Sequence, residues 1–248
     1  MKTFNLEENI KRLLTPRETL APWLFDENNQ MHENMRLILL RYAQKLIESV
    51  ISPIEGLEVT DITLTGSSSG YFYKDSSDID MRVEVHNKGC KWLAKDSEHM
   101  DKFLATQLNG FFNDGYRFYV NKRLIDIKMS SKQVDFASLY SIKDNKWLIE
   151  PTKEINISEN EMKEYYLEKR KVIMEEYESI KLKYRGTELG AELNSFFVRT
   201  VLRSIKNHPT MKDYLTFKLL NYEQLLKPIG AESIRAYNRA LQLKSLEH

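Results

Sequence analysis

The sequence is short of several things that would narrow its class. It holds one cysteine, Cys90, which excludes an intramolecular disulfide and a cysteine zinc cluster. No run of eighteen apolar residues and no apolar leader stretch occurs, so a soluble, cytoplasmic chain without a membrane partner is expected. Its five histidines, His32, His86, His99, His208 and His248, show no metal-ligand spacing and read as structural or surface residues. Neither charge is in excess: 37 basic side chains stand against 36 acidic ones, a net charge of +1. Whole-chain charge therefore argues neither for nor against nucleic acid, which would need a local basic patch. Neither Gly-x-Gly-x-x-Gly nor Gly-Lys-Ser/Thr is present, which removes the dinucleotide fingerprint and the P-loop. Internal repeats and low-complexity segments are also lacking.

What is present is a chain of 248 residues, 42% apolar and 29% charged, enough for one large domain or two small ones. Thr15-Pro16-Arg17-Glu18 has the form of a capping box with proline at the first helical position. Helical spacing of Met35, Ile38, Leu39, Tyr42, Leu46 and Ile47 predicts a helix over 31–50, stopped by Ser52-Pro53 and Gly56. Strands are expected at 57–64 and 79–85, a helix at 97–112, and a hairpin of 115–120 and 123–129 joined by Asn121-Lys122. Ser158-Glu159-Asn160-Glu161 resembles a capping box that opens a long helix to about residue 184. More helices are expected at 187–206, 210–226 and 231–244. The chain therefore reads as α+β. A small mixed β-sheet flanked by helices occupies 1–154, and a helical domain occupies 155–245. Residues 246–248 have the look of a tag remnant.

The chemistry concentrates in Leu64-Thr-Gly-Ser and the Asp78-Ile-Asp-Met run. Residues 79–85 alternate strictly, with Ile79, Met81, Val83 and Val85 on one face and Asp80, Arg82 and Glu84 on the other. Asp78 falls on the second face too, two positions from Asp80, and two such carboxylates about 6–7 Å apart repel unless a cation neutralises them. Oxygen-only ligands suit a hard ion such as Mg²⁺. Asp126, in Leu124-Ile-Asp-Ile-Lys128, offers a third carboxylate from a strand that can lie beside the first. Three carboxylates can hold two metals about 4 Å apart, the arrangement used for in-line displacement at phosphorus. Gly66-Ser67 follows a strand, and a glycine there lets the backbone approach a phosphate.

Gly66-Ser67, ten residues, then Asp78-Ile79-Asp80-Met81, with a later Asp126 on a strand, resembles the nucleotidyltransferase superfamily typified by polymerase beta. The resemblance covers about residues 57–130 and does not extend to a subfamily. It implies a nucleoside triphosphate substrate and two Mg²⁺ ions, with Mn²⁺ as a substitute. Asp78 and Asp80 would ligate both metals. Asp126 would ligate the catalytic metal and help activate an acceptor hydroxyl. Gly66 and Ser67 would bind the β- and γ-phosphates. The acceptor stays open among an RNA 3′ end such as tRNA, a protein, a small molecule and a second nucleotide.

Plainer readings stand beside these. Asp78 and Asp80 can be the solvent face of an edge strand, and Glu84 a partner for Arg82. Ser68 and Lys74 are either phosphate contacts or ordinary loop residues. Tyr71, Phe72 and Tyr73 are a base-stacking face or packing. Arg199 and Arg203, one helical turn apart, can clamp a triphosphate or an RNA backbone, or form a solvated face. As a whole, the chain can instead be a catalytically weak nucleotide-binding regulatory module of the same fold. A two-carboxylate glycosidase leaves Gly66-Ser67 without a purpose.

Overall fold

Strict alternation at 79–85 becomes the central strand of a sheet, in a computed structural model that describes residues 4–91, 97–113, 117–131, 137–200, 210–227, 229–231 and 234–235. The strands are β1 (Leu57–Thr65), β2 (Ile79–Asn87), β3 (Phe118–Val120), β4 (Arg123–Ser130), β5 (Leu139–Ser141) and β6 (Lys146–Ile149). They form one mixed sheet in the order β3-β4-β2-β1-β5-β6. β1 and β2 are antiparallel, whereas β2 and β4 are parallel. The chain is thus α+β. Among the described residues no helix is long and apolar enough to cross a membrane.

The apolar side chains of β2 and β4 do what their period demands. Ile79, Met81, Val83, Val85, Ile125, Ile127 and Met129 are all buried in one cluster. Helix α2 (Glu33–Leu46) contributes Met35, Leu39, Ala43 and Leu46 to it, and helix α3 (Ser97–Asn113) contributes Met100, Leu104 and Leu108. α2 runs on into a wider turn at Ile47–Ile51, and the chain then reverses at Gly56, whose φ is +86°. In β1 the apolar positions change phase, from Leu57 and Val59 to Ile62 and Leu64. A register shift between Val59 and Asp61 causes it: one extra residue flips which parity faces the core. The hairpin turn at Asn121 and Lys122 has φ of +49° and +64°, as a two-residue connection matching the strand twist requires.

The chain divides into two compact units, Pro16–Glu154 and a second made of Met1–Thr15 with Ile155–His248. The first fifteen residues group with the later helices, not with the sheet as the sequence reading had them. Helix α1 (Leu6–Leu14) starts on Asn5, whose side-chain oxygen accepts from the Glu8 amide at 3.2 Å. Thr15 ends this helix instead of opening a new one: its hydroxyl donates to the Lys11 carbonyl at 2.7 Å. Ile10 is buried with Met162, Tyr166, Ile173, Tyr177 and Ile180 of α4 (Glu159–Lys183). This apolar contact, invisible to local pattern, is what draws α1 into the helical unit. α5 (Gly186–Phe196) and α6 (Met211–Tyr222) belong to it as well; most of the helix expected at 231–244 lies outside the described residues.

The helical unit carries one dense polar knot. Arg170 donates to Glu223 from Nε at 2.8 Å and from Nη2 at 2.6 Å, and the Tyr166 hydroxyl donates to the same carboxylate. Burial alone pushes the Glu223 carboxyl up, but the bonds from Arg170 and Tyr166 outweigh it and leave the group below its ordinary 4.5. Burial first, then the bond to Glu223, raise Tyr166 well above its ordinary value, with Arg170 opposing them. Glu223→Ala is therefore expected to lower stability at pH 7 by about 2–3 kcal/mol, read from urea unfolding. A carboxyl held low in the fold adds stability above about pH 4.5 and loses it as pH falls further, so the difference between wild type and variant should shrink in acid. A difference that is unchanged at pH 3.5 would show that the ionised carboxylate is not what stabilises the knot.

Candidate functional site

The parallel pairing of β2 with β4 decides the site. Its register sets Asp80 beside Asp126, Arg82 beside Lys128 and Glu84 beside Ser130. Directly opposed residues on parallel neighbours share a face, with strands about 4.8 Å apart. From Asp80 and Asp126 onward, the even-numbered positions of both strands therefore make one polar surface on the side away from the buried isoleucines and valines. β1 extends the rows, with Thr65 beside Asp80 and Thr63 beside Arg82.

Asp80 and Asp126 share one cation. The Lys128 ammonium lies 3.9 Å from an Asp80 oxygen and 3.5 Å from an Asp126 oxygen. The side chains of Asp80, Asp126 and Lys128 are 24%, 44% and 65% exposed, so the position is open to solvent. Arg82 is buried one row back, and burial lowers its pKa, with Glu84 and Asp101 acting against that. Burial pushes the Glu84 carboxyl up, opposed by Arg82 and reinforced by Asp61. Glu84 thus sits electrostatically with Arg82, not with the aspartate pair.

The Gly66-Ser67 turn meets the aspartates. Gly66 has φ +75° and ψ −163°, a backbone region that is essentially glycine-only. A Cβ there would lie 2.1 Å from an Asp80 carboxylate oxygen. The carboxylate is thus packed against bare backbone. Ser67–Ser69 follow as a single tight 3-10 turn. Ser67 is part-exposed and its hydroxyl sits 3.2 Å from that of Ser77, which also accepts the Lys74 amide at 2.9 Å. Ser69 donates to the Gly66 carbonyl at 2.9 Å and contacts the Ser138 hydroxyl at 2.8 Å. These bonds tie down a turn whose outer surface is Gly66 and Ser67. Ser68 is fully buried, so the phosphate contact expected of it does not fit its place.

Asp78 differs from its sequence reading. It stands one residue before β2, is exposed, and lines a cleft of about 410 Å³ between residues 75–78 and residues 121–124 of the hairpin. Arg123 braces this cleft: it donates to the Asp75 carbonyl at 2.8 Å and its guanidinium stacks on Trp23 at 4.1 Å. Among the described residues no three His, Cys, Asp or Glu side chains are grouped to hold a metal ion. The structure thus brings Asp80 and Asp126 together and leaves Asp78 at the mouth of the strand, where no ladder bond fixes its direction.

The donor set nevertheless suits a hard divalent cation. Every ligand oxygen is a carboxylate, the pair already shares a cationic nitrogen, and one carboxylate is cradled where a side chain would exclude it. Asp80 and Asp126 are the residues that can hold such an ion, with Asp78 within the same strand end.

The other nominated residues fall elsewhere. Lys74 is in the loop before β2, part-buried. Tyr73 packs in the core and Tyr71 lies against it, so neither is a free stacking face. Arg199, in the helical unit, is ion-paired with Glu176. Arg203 lies outside the described residues. Sequence reasoning missed Lys128, although a signal was there: it is two positions from Asp126 on a strand and so shares its face.

No protein-family profile matches the chain, and no curated protein is significantly similar to it.

Proposed function

We propose that this protein is a metal-dependent nucleotidyltransferase, which moves a nucleoside monophosphate from a nucleoside triphosphate to an acceptor hydroxyl. The observation that carries this reading is the pairing of Asp80 with Asp126 on parallel strands, with the Gly66 turn packed against the Asp80 carboxylate. Two Mg²⁺ ions, or Mn²⁺, would supply Lewis-acid charge at the phosphates when bound. Asp80 and Asp126 would hold them, joined by Asp78 from the strand mouth. The Gly66 and Ser67 backbone amides would orient the β- and γ-phosphates. In the reaction the acceptor oxygen forms a bond to the α-phosphorus and the α–β bridging bond breaks. Pyrophosphate leaves, and Asp126 accepts the acceptor's proton directly or through water. Most of the catalysis by the protein is then positioning and charge neutralisation.

The acceptor class is the next unknown: an RNA 3′ end, a protein, a small molecule or a second nucleotide. The deciding experiment incubates the full chain with each α-labelled triphosphate, Mg²⁺ and a mixture of cell RNA, protein and small molecules. Label on one acceptor class with matching pyrophosphate release supports the reading. Calorimetric binding of triphosphate with no pyrophosphate released would instead identify a nucleotide-sensing module, and no binding at all would remove both.

A further inference from the structure

We infer that the Lys128 ammonium holds the cation position between Asp80 and Asp126 until a divalent ion arrives together with a polyphosphate, which makes the binding of metal and nucleotide mutually dependent. This rests on the proposed metal site and goes beyond it, because it assigns an order of loading to a residue outside the expected motif.

The geometry supports it in three ways. First, Lys128 is the shared neighbour of both carboxylates, at 3.9 and 3.5 Å. A cation entering between them has to displace it or suffer its charge. Second, those distances exceed hydrogen-bond range, and the lysine side chain is 65% exposed. Such a pair is weak and readily exchanged, unlike a locked buried bridge. Third, the row behind is also basic: Arg82 is the cross-strand neighbour of Lys128 and is 6% exposed. A displaced ammonium therefore gains nothing from Arg82 itself. Its favourable destination is outward, onto anionic oxygens.

A triphosphate supplies those oxygens. Mg²⁺ gives up its waters reluctantly and prefers one or two carboxylates combined with phosphates. Without polyphosphate, the ion would have to evict Lys128 into water and gain only protein carboxylates. With it, the ammonium exchanges carboxylate partners for phosphate partners, and the eviction is compensated. Coupling of this kind is reciprocal: metal tightens polyphosphate by the same factor as polyphosphate tightens metal.

The test measures Mn²⁺ binding to the full chain by electron paramagnetic resonance, with and without inorganic tripolyphosphate. Lys128→Met is expected to bind Mn²⁺ about tenfold more tightly than wild type when no polyphosphate is present, because a unit positive charge beside the ligands is gone. Tripolyphosphate should tighten Mn²⁺ in wild type and in Lys128→Arg, and much less in Lys128→Met. Asp80→Asn separates the two levels of the argument. If wild type and Lys128→Met bind Mn²⁺ equally while Asp80→Asn loses it, the role of Lys128 is refuted and the metal site stands. If Mn²⁺ binding is indifferent to Asp80, the metal site fails, and the inference about Lys128 with it. Circular dichroism of each variant checks folding; the exposure of Lys128 makes its replacement tolerable.

Discussion

Asp80→Asn is expected to slow the proposed nucleotide transfer by at least about a hundredfold while leaving the fold in place. The size follows from what is removed. Asparagine keeps the shape of the side chain but takes away the charge that a phosphate-bound ion would need, and one lost electrostatic contact to charge developing in a transition state costs about two to three orders of magnitude. The fold should survive because Asp80 is part-exposed and Lys128 lies at a distance that contributes little stability. Single-turnover kinetics of pyrophosphate release, with a urea midpoint for each protein, check both halves. Transfer at the wild-type rate would remove Asp80 from the reaction. A large drop in the urea midpoint would show that the carboxylate has a structural duty instead.

Gly66→Ala should damage both properties at once. Its φ of +75° with ψ −163° falls where a side chain costs about 1–3 kcal/mol of backbone strain. The new Cβ would also stand 2.1 Å from the Asp80 oxygen and 2.8 Å from its Cγ, distances that require the carboxylate to move. A moved carboxylate no longer faces Asp126 in register, so transfer should fall towards the level of Asp80→Asn. The double variant Gly66→Ala with Asp80→Ala tells strain from collision. Removing the carboxylate should recover the collision part of the lost stability and leave the backbone part. Full stability of Gly66→Ala alone would mean that the turn relaxes freely and is not what seats Asp80.

Much of the site's neighbourhood was legible in the chain, for reasons that differ by element. β2 announced itself because its neighbours on both sides impose a strict two-residue period, and the odd positions from Ile79 to Val85 are all buried. The hairpin was readable because Asn121-Lys122 sits between two apolar runs, and a two-residue connection leaves few turn types. Ser158 was readable as a cap because its hydroxyl has one local duty, accepting the Glu161 amide at 3.2 Å. β5 and β6 went unread, being three and four residues long, too short to show a period. Thr15 misled because Thr-x-x-Glu is local, whereas its actual partner is the carbonyl four residues back. Asp78 misled by one residue: alternation extends a strand on paper beyond the last ladder bond.

The sequence by itself determined which residues pair apolar with polar along each element, where the chain turns, and that carboxylates recur around a Gly-Ser turn. These properties depend only on neighbours a few positions away, and local steric and burial periods are written into the chain directly. Only the tertiary structure decided that β2 and β4 run parallel in a register that opposes Asp80 to Asp126, that Lys128 stands across both, and that α1 packs with α4. Those outcomes come from burying apolar faces that are distant in the chain, and a one-residue slip of β4 against β2 would have put the two carboxylates on opposite sides of the sheet.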